Sequence, residues 1–155
     1  GRLLASAGDD QLVRIWDAQS GRAMHAMWGH LDGISALAFS PDGEVLASAG
    51  WDRAVRLWEP RGGRALGVLP GWAGWLWALC FTPDGRALVA GGQDGLLLWQ
   101  VPEGRVLGHM IALGEGWLTL VPVPDGAEDP PGAAPPRYAL YAAEPEAPAK
   151  KKTKK

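Results

Sequence analysis

Ser48, His30 and Asp52 carry the three side-chain types that perform acyl transfer when they meet in space. In a hydrolase the serine attacks a carbonyl carbon, the histidine accepts the serine proton, and the aspartate orients the histidine. The sequence has no Gly-x-Ser-x-Gly segment, the sharp turn that exposes the nucleophile in one large class of hydrolases. Because a triad requires geometry and substrate access as well as residue types, the elements that position these residues decide what they do.

The histidines, the cysteine and the glycines give little support for metal or phosphate chemistry. His25, His30 and His109 show no ligand spacing with one another or with Cys80. The glycines follow turns and do not form a phosphate-binding loop. We therefore expect no metal site and no cofactor, and we expect Cys80 to be a small core residue.

The chain is a tandem repeat. Gly8, Gly50 and Gly92 are 42 residues apart, and the same interval separates Ser40-Pro41-Asp42-Gly43 from Thr82-Pro83-Asp84-Gly85. From Trp58 to Trp99 the interval is 41, so one residue has been lost near position 95. A repeat of this length is one supersecondary unit that must stack on its neighbours to bury its apolar faces.

One copy, from Gly29 to Leu69, shows the structure of the unit. Four apolar segments alternate with Gly, Pro and Asp turn residues, and they cover residues 34–40, 44–50, 54–59 and 64–69. Short apolar runs separated by turn signals at this spacing predict antiparallel strands. The sequence therefore predicts an all-β repeat with four strands in each unit.

The order of motifs in this unit resembles the WD40-repeat family. A Gly-His pair precedes the first strand, Ser-Pro-Asp-Gly precedes the second, and an Asp lies six residues before a Trp. The resemblance covers residues 3 to about 113 and is fainter over 114–126. It implies a β-propeller in which each blade has four antiparallel strands. The ring would be incomplete here, since propellers close with about 4 to 8 blades.

The repeats divide the chain into blades and a tail. We expect a partial blade at 1–27, a complete blade at 29–69, a complete but divergent blade at 70–113, the start of a further blade at 114–126, and a disordered tail at 127–155. The tail is rich in Pro and Ala and has one possible strand at 137–143. Since the chain begins inside a blade, we interpret it as the C-terminal fragment of a longer protein. The missing blades would come from that parent chain or from self-association.

The resemblance also implies a hydrogen-bonded set inside each blade, formed by a His, a Ser or Thr, an Asp and the repeat Trp. In the second copy these residues are His30, Ser48, Asp52 and Trp58, and in the first they are Ser6, Asp10 and Trp16. In the third copy Trp72 replaces the His, Ala90 replaces the Ser, and Asp94 lies five residues before Trp99. We expect packing, and not this set, to hold the third turn. Within a blade these groups would satisfy one another's buried donors and acceptors, which argues against catalysis.

Four more tryptophans suggest where a partner binds. They lie in connections that, in the family, surround the mouth of the central channel on one rim: Trp28, Trp51, Trp72 and Trp75. Exposed aromatic residues are common anchors of protein interfaces. Alternatively these rings fill gaps left by lost motif residues, Trp72 above all. Trp77 lies within a predicted strand, and we expect it in the core.

Charge divides the chain into an acidic body and a basic tail. All five lysines lie within residues 150–155, so residues 1–149 contain ten arginines and 17 acidic residues, a net charge of −7. The lysines could attract nucleic acid or an anionic surface, but no aromatic residue lies among them to stack on bases. A nucleic-acid partner is therefore not favoured, and no apolar run approaches the ~20 residues of a membrane-spanning helix.

The function that fits these patterns is a non-catalytic propeller scaffold that binds protein partners. Two alternatives stay open: association of the lysine tail with nucleic acid, and a sensing end of a larger bacterial enzyme with its catalytic residues upstream. A bacterial origin is suggested by a body rich in Gly, Ala and Arg without Lys. A single cysteine fits a reducing compartment, so we expect a cytoplasmic protein.

Overall fold

The computed structural model describes residues 1–70, 74–93, 95–113, 116–122 and 138–143. These residues form three antiparallel sheets, which confirms the all-β fold class expected from the repeat. In this part of the chain no helix is long and apolar enough to cross a membrane. The three sheets do not close a ring over the described ranges.

The first two sheets follow the predicted repeats. The first sheet has three strands in sequence order: β1 (Leu3–Ser6), β2 (Val13–Asp17) and β3 (Ala23–Met27). The second sheet has four strands in the same order: β4 (Ile34–Phe39), β5 (Leu46–Gly50), β6 (Val55–Glu59) and β7 (Arg64–Leu69). Each of the four strands expected between 29 and 69 is present.

The third sheet is longer than a four-stranded unit. Its strands are β8 (Leu76–Phe81), β9 (Ala87–Gly92), β10 (Gly95–Gln100), β11 (Arg105–Leu113), β12 (Gly116–Pro122) and β13 (Tyr138–Ala143), paired in sequence order. The sequence placed 114–126 at the start of another blade, whereas β12 pairs with β11 and extends the third sheet. Pairing with β12 satisfies backbone groups that β11 would otherwise expose at an edge.

The tail and the blade boundaries remain largely predictions. Strand β13 lies inside the segment 137–143 where a strand was possible. The rest of 127–155, with its lysines, lies outside the described residues. The boundaries at 27, 69 and 113 come from the repeat spacing and stay predictions.

The Pro-Asp-Gly turns that join the first and second strands of a unit have the same construction in the second and third sheets. The Ser40 hydroxyl donates to Asp42, and Asp42 accepts from the Glu44 amide at 3.0 Å. In the third sheet the Thr82 hydroxyl donates to Asp84 in the same way. Gly43 has φ +76°, a conformation that glycine adopts without steric cost. Local hydrogen bonding thus explains why this tetrapeptide marks each turn.

The sheets stack face to face and bury two apolar clusters. Between the first and second sheets, Val13 and Ile15 pack with Leu46 and Trp58. Between the second and third sheets, the cluster combines Val55 and Leu57 with residues that include Leu88, Leu97 and Trp99. In both cases the face that carries the repeat Trp covers the aliphatic face of the preceding sheet. This stacking holds the polar residues of each unit in place.

Two expectations about the core are wrong. Trp77 was expected in the core but is 58% exposed, and Cys80 is exposed as well. Both residues lie on β8, which is the first strand of its sheet and pairs only with β9. Since no described strand flanks the other edge of β8, its side chains are covered less than those of an inner strand.

Candidate functional site

The structure brings His30, Ser48, Asp52 and Trp58 together in the second sheet. His30 Nδ1 lies 2.9 Å from Asp52 Oδ1, and His30 Nε2 lies 2.7 Å from Ser48 Oγ. Trp58 Nε1 donates to the same Ser48 oxygen at 2.7 Å. Strands β5 and β6 supply Ser48 and Trp58, while His30 and Asp52 come from the connections that precede β4 and β6. One continuous set of hydrogen bonds therefore joins two strands and two connections.

The donors in this set can be assigned from the partners. The carboxylate of Asp52 can only accept, so His30 Nδ1 carries the proton and donates to it. His30 Nε2 then accepts from the Ser48 hydroxyl, and the Ser48 oxygen accepts from the Trp58 N–H. Every polar atom of the set has a partner when His30 is neutral.

Electrostatics favour this neutral histidine. Burial lowers the pKa of His30 below its ordinary value, and this effect outweighs the opposing hydrogen bond and charge of Asp52. Burial raises the pKa of Asp52, but the Leu31 amide, His30 and the Ala54 amide together hold that pKa below its ordinary value. The set is thus a neutral histidine bonded to an ionised aspartate.

Ser48 is placed as a structural group and not as a nucleophile. Its exposed fraction is 0%, so a substrate carbonyl has no route to its oxygen. Its hydroxyl proton and an acceptor position are engaged by His30 and Trp58. Within the described residues there is also no group of three or more His, Cys, Asp or Glu side chains that could hold a metal ion.

The first sheet contains part of the same arrangement. Trp16 Nε1 donates to Ser6 Oγ at 2.9 Å, as Trp58 does to Ser48. Asp10 corresponds to Asp52, but it forms an ion pair with Arg14. The Arg14 hydrogen bond, followed by the Leu12 amide, lowers the pKa of Asp10. Of the three residues predicted for this copy, Ser6 and Trp16 are in contact, while Asp10 bonds elsewhere.

In the third sheet a backbone carbonyl, and not a serine, accepts the hydrogen bond of the repeat Trp. Ala90 offers no hydroxyl, and the Trp99 N–H donates to the Pro70 carbonyl at 2.8 Å. Trp99 is fully buried. Two residues predicted for this copy, Trp72 and Asp94, lie outside the described residues. For Trp99, packing is accompanied by a hydrogen bond that the sequence did not reveal.

Three of the four candidate rim tryptophans are described, and all three are exposed. Trp28 lies between β3 and β4, Trp51 between β5 and β6, and Trp75 just before β8. In an antiparallel sheet these connections leave at the same end, so the three residues lie at one end of the stacked sheets. Their exposed fractions are 74%, 46% and 58%, respectively. We call this group the tryptophan end.

Backbone hydrogen bonds hold the tryptophan end together. The Trp51 amide donates to the Gly33 carbonyl at 2.8 Å, and the Ile34 amide donates to the Gly8 carbonyl at 3.1 Å. The Gln93 amide donates to the Trp75 carbonyl at 2.9 Å. The Trp51 and Gln93 bonds each join a hairpin to the connection that enters the same sheet, and the Ile34 bond joins the second sheet to the first. The backbone that carries the exposed rings is therefore fixed by hydrogen bonds.

Sequence reasoning missed two residues at this end. Leu31 is 81% exposed in the connection that also carries Trp28. Ser35 Oγ lies 2.6 Å from the Leu76 carbonyl oxygen and bonds the second sheet to the third. The exposure of Leu31 could have been inferred from its position, since it is a single Leu that follows the Gly-His pair in a connection. The second depends on how the sheets stack, which no local pattern shows.

Comparison with known proteins agrees with this geometry. The WD40 family model, described as "WD domain, G-beta repeat", matches residues 1–17, 21–59 and 63–99, more than half of the chain. The chain belongs to the WD40 repeat family. Proteins built from WD40 repeats generally mediate protein–protein interaction, and they are typically non-catalytic scaffolds.

Curated relatives of this WD40 chain match over about one repeat. F-box-like/WD repeat-containing protein TBL1Y of Homo sapiens is 43% identical over 42 residues, which are 27% of this chain and 8% of the relative. Nuclear distribution protein PAC1 of Coccidioides posadasii (strain C735) is 46% identical over 43 residues, or 28% and 9%. Coronin-7 of Mus musculus is 50% identical over 42 residues, or 27% and 5%.

These matches span less than a tenth of each of the three relatives. The relatives are similar to this chain over one repeat only, so their own activities are not assigned to this chain. The three organisms are mammals and a fungus, so these matches do not support the bacterial origin suggested by residue usage.

Proposed function

We propose that the chain is a non-catalytic WD40 scaffold that binds protein partners through its tryptophan end. The observation that carries the proposal is the contrast between two groups of tryptophans. Trp58 and Trp99 are buried between sheets, whereas Trp28, Trp51 and Trp75 are exposed at one end. Trp72 is part of the proposed surface on sequence grounds, and a cytoplasmic location is part of the same proposal.

The proposal is supported by the contribution that exposed aromatic side chains make to protein interfaces. Trp offers a large apolar face and one N–H donor, and it is among the residues that contribute most at protein interfaces. Leu31 adds a further exposed apolar side chain in the same connection as Trp28. Large apolar side chains exposed together at one end of a protein are typical of interaction sites.

The test replaces Trp28, Trp51 and Trp75 together by alanine and measures proteins captured from cell extract by quantitative mass spectrometry. Partners captured by the native protein should be lost, because the proposed anchors are gone. A matched control replaces Leu4 and Met24, which are 58% and 44% exposed near the starts of β1 and β3, at the end of the sheets opposite the tryptophan end. Equal capture by the triple variant and the native protein would show that the partners bind elsewhere.

A further inference from the structure

Arg56 lies between the first and second sheets, beneath the connection that carries Trp28. It is on β6, opposite Ser48 in the sheet and on the same face as Trp58. Gly29 lies directly over it: a Cβ atom at Gly29 would be 3.4 Å from Arg56 Nη1 and 2.9 Å from Trp58 Cη2. The absence of a side chain at Gly29 thus leaves room for the guanidinium next to Trp28.

This guanidinium lacks a partner among the described residues. Arg56 Nε is buried and has no hydrogen-bond acceptor there. The ion pairs of the described arginines are formed by Arg14, Arg61 and Arg64, and not by Arg56. A buried donor without an acceptor is unfavourable and uncommon in native proteins. Arg56 as a whole is only half-buried, so part of the residue stays open to a partner from outside although Nε itself is enclosed.

The repeats explain why Arg56 is unpaired. In the first sheet Arg14 occupies the equivalent position and pairs with Asp10. The equivalent aspartate in the second sheet is Asp52, which His30 and the Leu31 and Ala54 amides already engage. His30 has therefore taken the acceptor that an arginine at this position uses in the first sheet.

We propose that Arg56 binds the carboxylate of an acidic residue in a partner peptide docked at the tryptophan end. The proposal rests on the proposed function and specifies the chemistry of the partner. A guanidinium presents paired donors that match a carboxylate, and burial beside Trp58 strengthens such a pair. Trp28 and Leu31 are exposed in the connection that passes over Arg56 at Gly29. The partner is an acidic segment with an aromatic or aliphatic neighbour.

The tryptophan end carries charges of both signs. Arg53, in the hairpin before β6, forms no ion pair with a described residue either. Asp32, in the connection that carries Trp28, accepts the Gly33 amide at 2.8 Å. Asp9 and Asp32 at this end form no ion pair with a described residue either, so the unpaired Arg56, and not the net charge of the end, favours an acidic partner.

The probe is a displayed library of random peptides selected on the full chain, with parallel selections on Arg56→Leu and Arg14→Leu. Leucine is the residue that the third repeat carries at this position, as Leu97, where it is fully accommodated. The native protein and Arg14→Leu should enrich peptides with Asp or Glu next to an aromatic or aliphatic residue. Arg56→Leu should lose that enrichment.

One selected peptide is then measured in solution. Loss of the charged hydrogen bonds should weaken binding to Arg56→Leu by about 10- to 100-fold, and Arg14→Leu should bind as the native protein does. Changing the acidic residue of the peptide to Gln should weaken binding to the native protein by a similar factor. This second measurement needs no protein variant, so it holds even if Arg56→Leu does not fold.

The outcomes separate the two proposals. Selected peptides without acidic residues, or with equal affinity for Arg56→Leu, overturn the role of Arg56. If binding of the same peptides requires Trp28, the proposed function stands without a role for Arg56. A library that yields no binder also overturns the role of Arg56, while the capture experiment with the tryptophan variants decides the proposed function on its own.

Discussion

Replacing Ser48 by alanine should destabilise the protein far more than the equivalent change at Ser6. Both serines accept a hydrogen bond from the Trp of their own sheet, at 2.7 Å and 2.9 Å. Ser48 also donates to His30, and it is fully buried. The two positions carry the same substitution in two copies of one repeat, so each serves as a control for the other.

The magnitude follows from the groups left without partners. Ser48→Ala leaves the Trp58 N–H and the His30 Nε2 lone pair unsatisfied where water does not reach. At about 1 to 3 kcal/mol for each such group, partly offset by removal of the buried hydroxyl, the expected loss is about 2 to 4 kcal/mol. Ser6→Ala frees only the N–H of Trp16, which is partly exposed and can bond to water, so we expect about 1 kcal/mol or less.

The assay is urea unfolding followed by far-ultraviolet circular dichroism, with both variants and the native chain measured under one condition. A double-mutant cycle with Trp58→Phe, which removes the N–H, should show a coupling of about 1 kcal/mol or more between Ser48 and Trp58. Equal losses for Ser48→Ala and Ser6→Ala, or the absence of coupling, would refute the reasoning that the buried set stabilises the second sheet.

Two further predictions concern the same set. Asp52→Ala should lower the free energy of unfolding by about 1 to 3 kcal/mol, because the His30 N–H and two amides lose their acceptor; an unchanged melting temperature would contradict this. Since the pKa of His30 is lower in the folded state than its unfolded value of about 6.5, the unfolded chain binds more protons below that pH. The unfolding free energy should therefore fall as pH decreases from about 6.5 towards the folded pKa, and His30→Gln should remove this component; identical pH profiles for the two proteins would argue against it.

Features governed by neighbouring residues were predictable from the sequence. The turn formed by Ser40, Asp42 and Gly43 depends on hydrogen bonds between residues close in sequence and on a positive φ at Gly43. The tetrapeptide alone therefore predicts the turn. Once such turns are located at a constant interval, the strands between them follow. The expected segment 44–50 corresponds to β5 at Leu46–Gly50, and 64–69 corresponds to β7 at Arg64–Leu69.

Features governed by stacking were not predictable. Trp77 and Cys80 belong to an apolar segment, and nothing local distinguishes an edge strand from an inner one. Asp52 bonds to His30, which is 22 residues away in the sequence, while Arg56 Nε has no described acceptor. The hydrogen bond of Trp99 reaches back 29 residues to Pro70. Each of these required knowledge of which elements become neighbours.

The Pro70 carbonyl that accepts the Trp99 N–H has a consequence for how the third repeat tolerates mutation. In the second sheet the acceptor is a serine side chain, which a single nucleotide change can abolish. A main-chain carbonyl belongs to every amino acid, so substitution at position 70 changes the side chain and retains the acceptor. Because the Pro70 carbonyl accepts the Trp99 N–H, no hydroxyl is needed at position 90, and Ala90 is compatible with a buried Trp99. The third repeat thus relies on an acceptor that belongs to the backbone, whereas the second relies on one that only certain side chains supply.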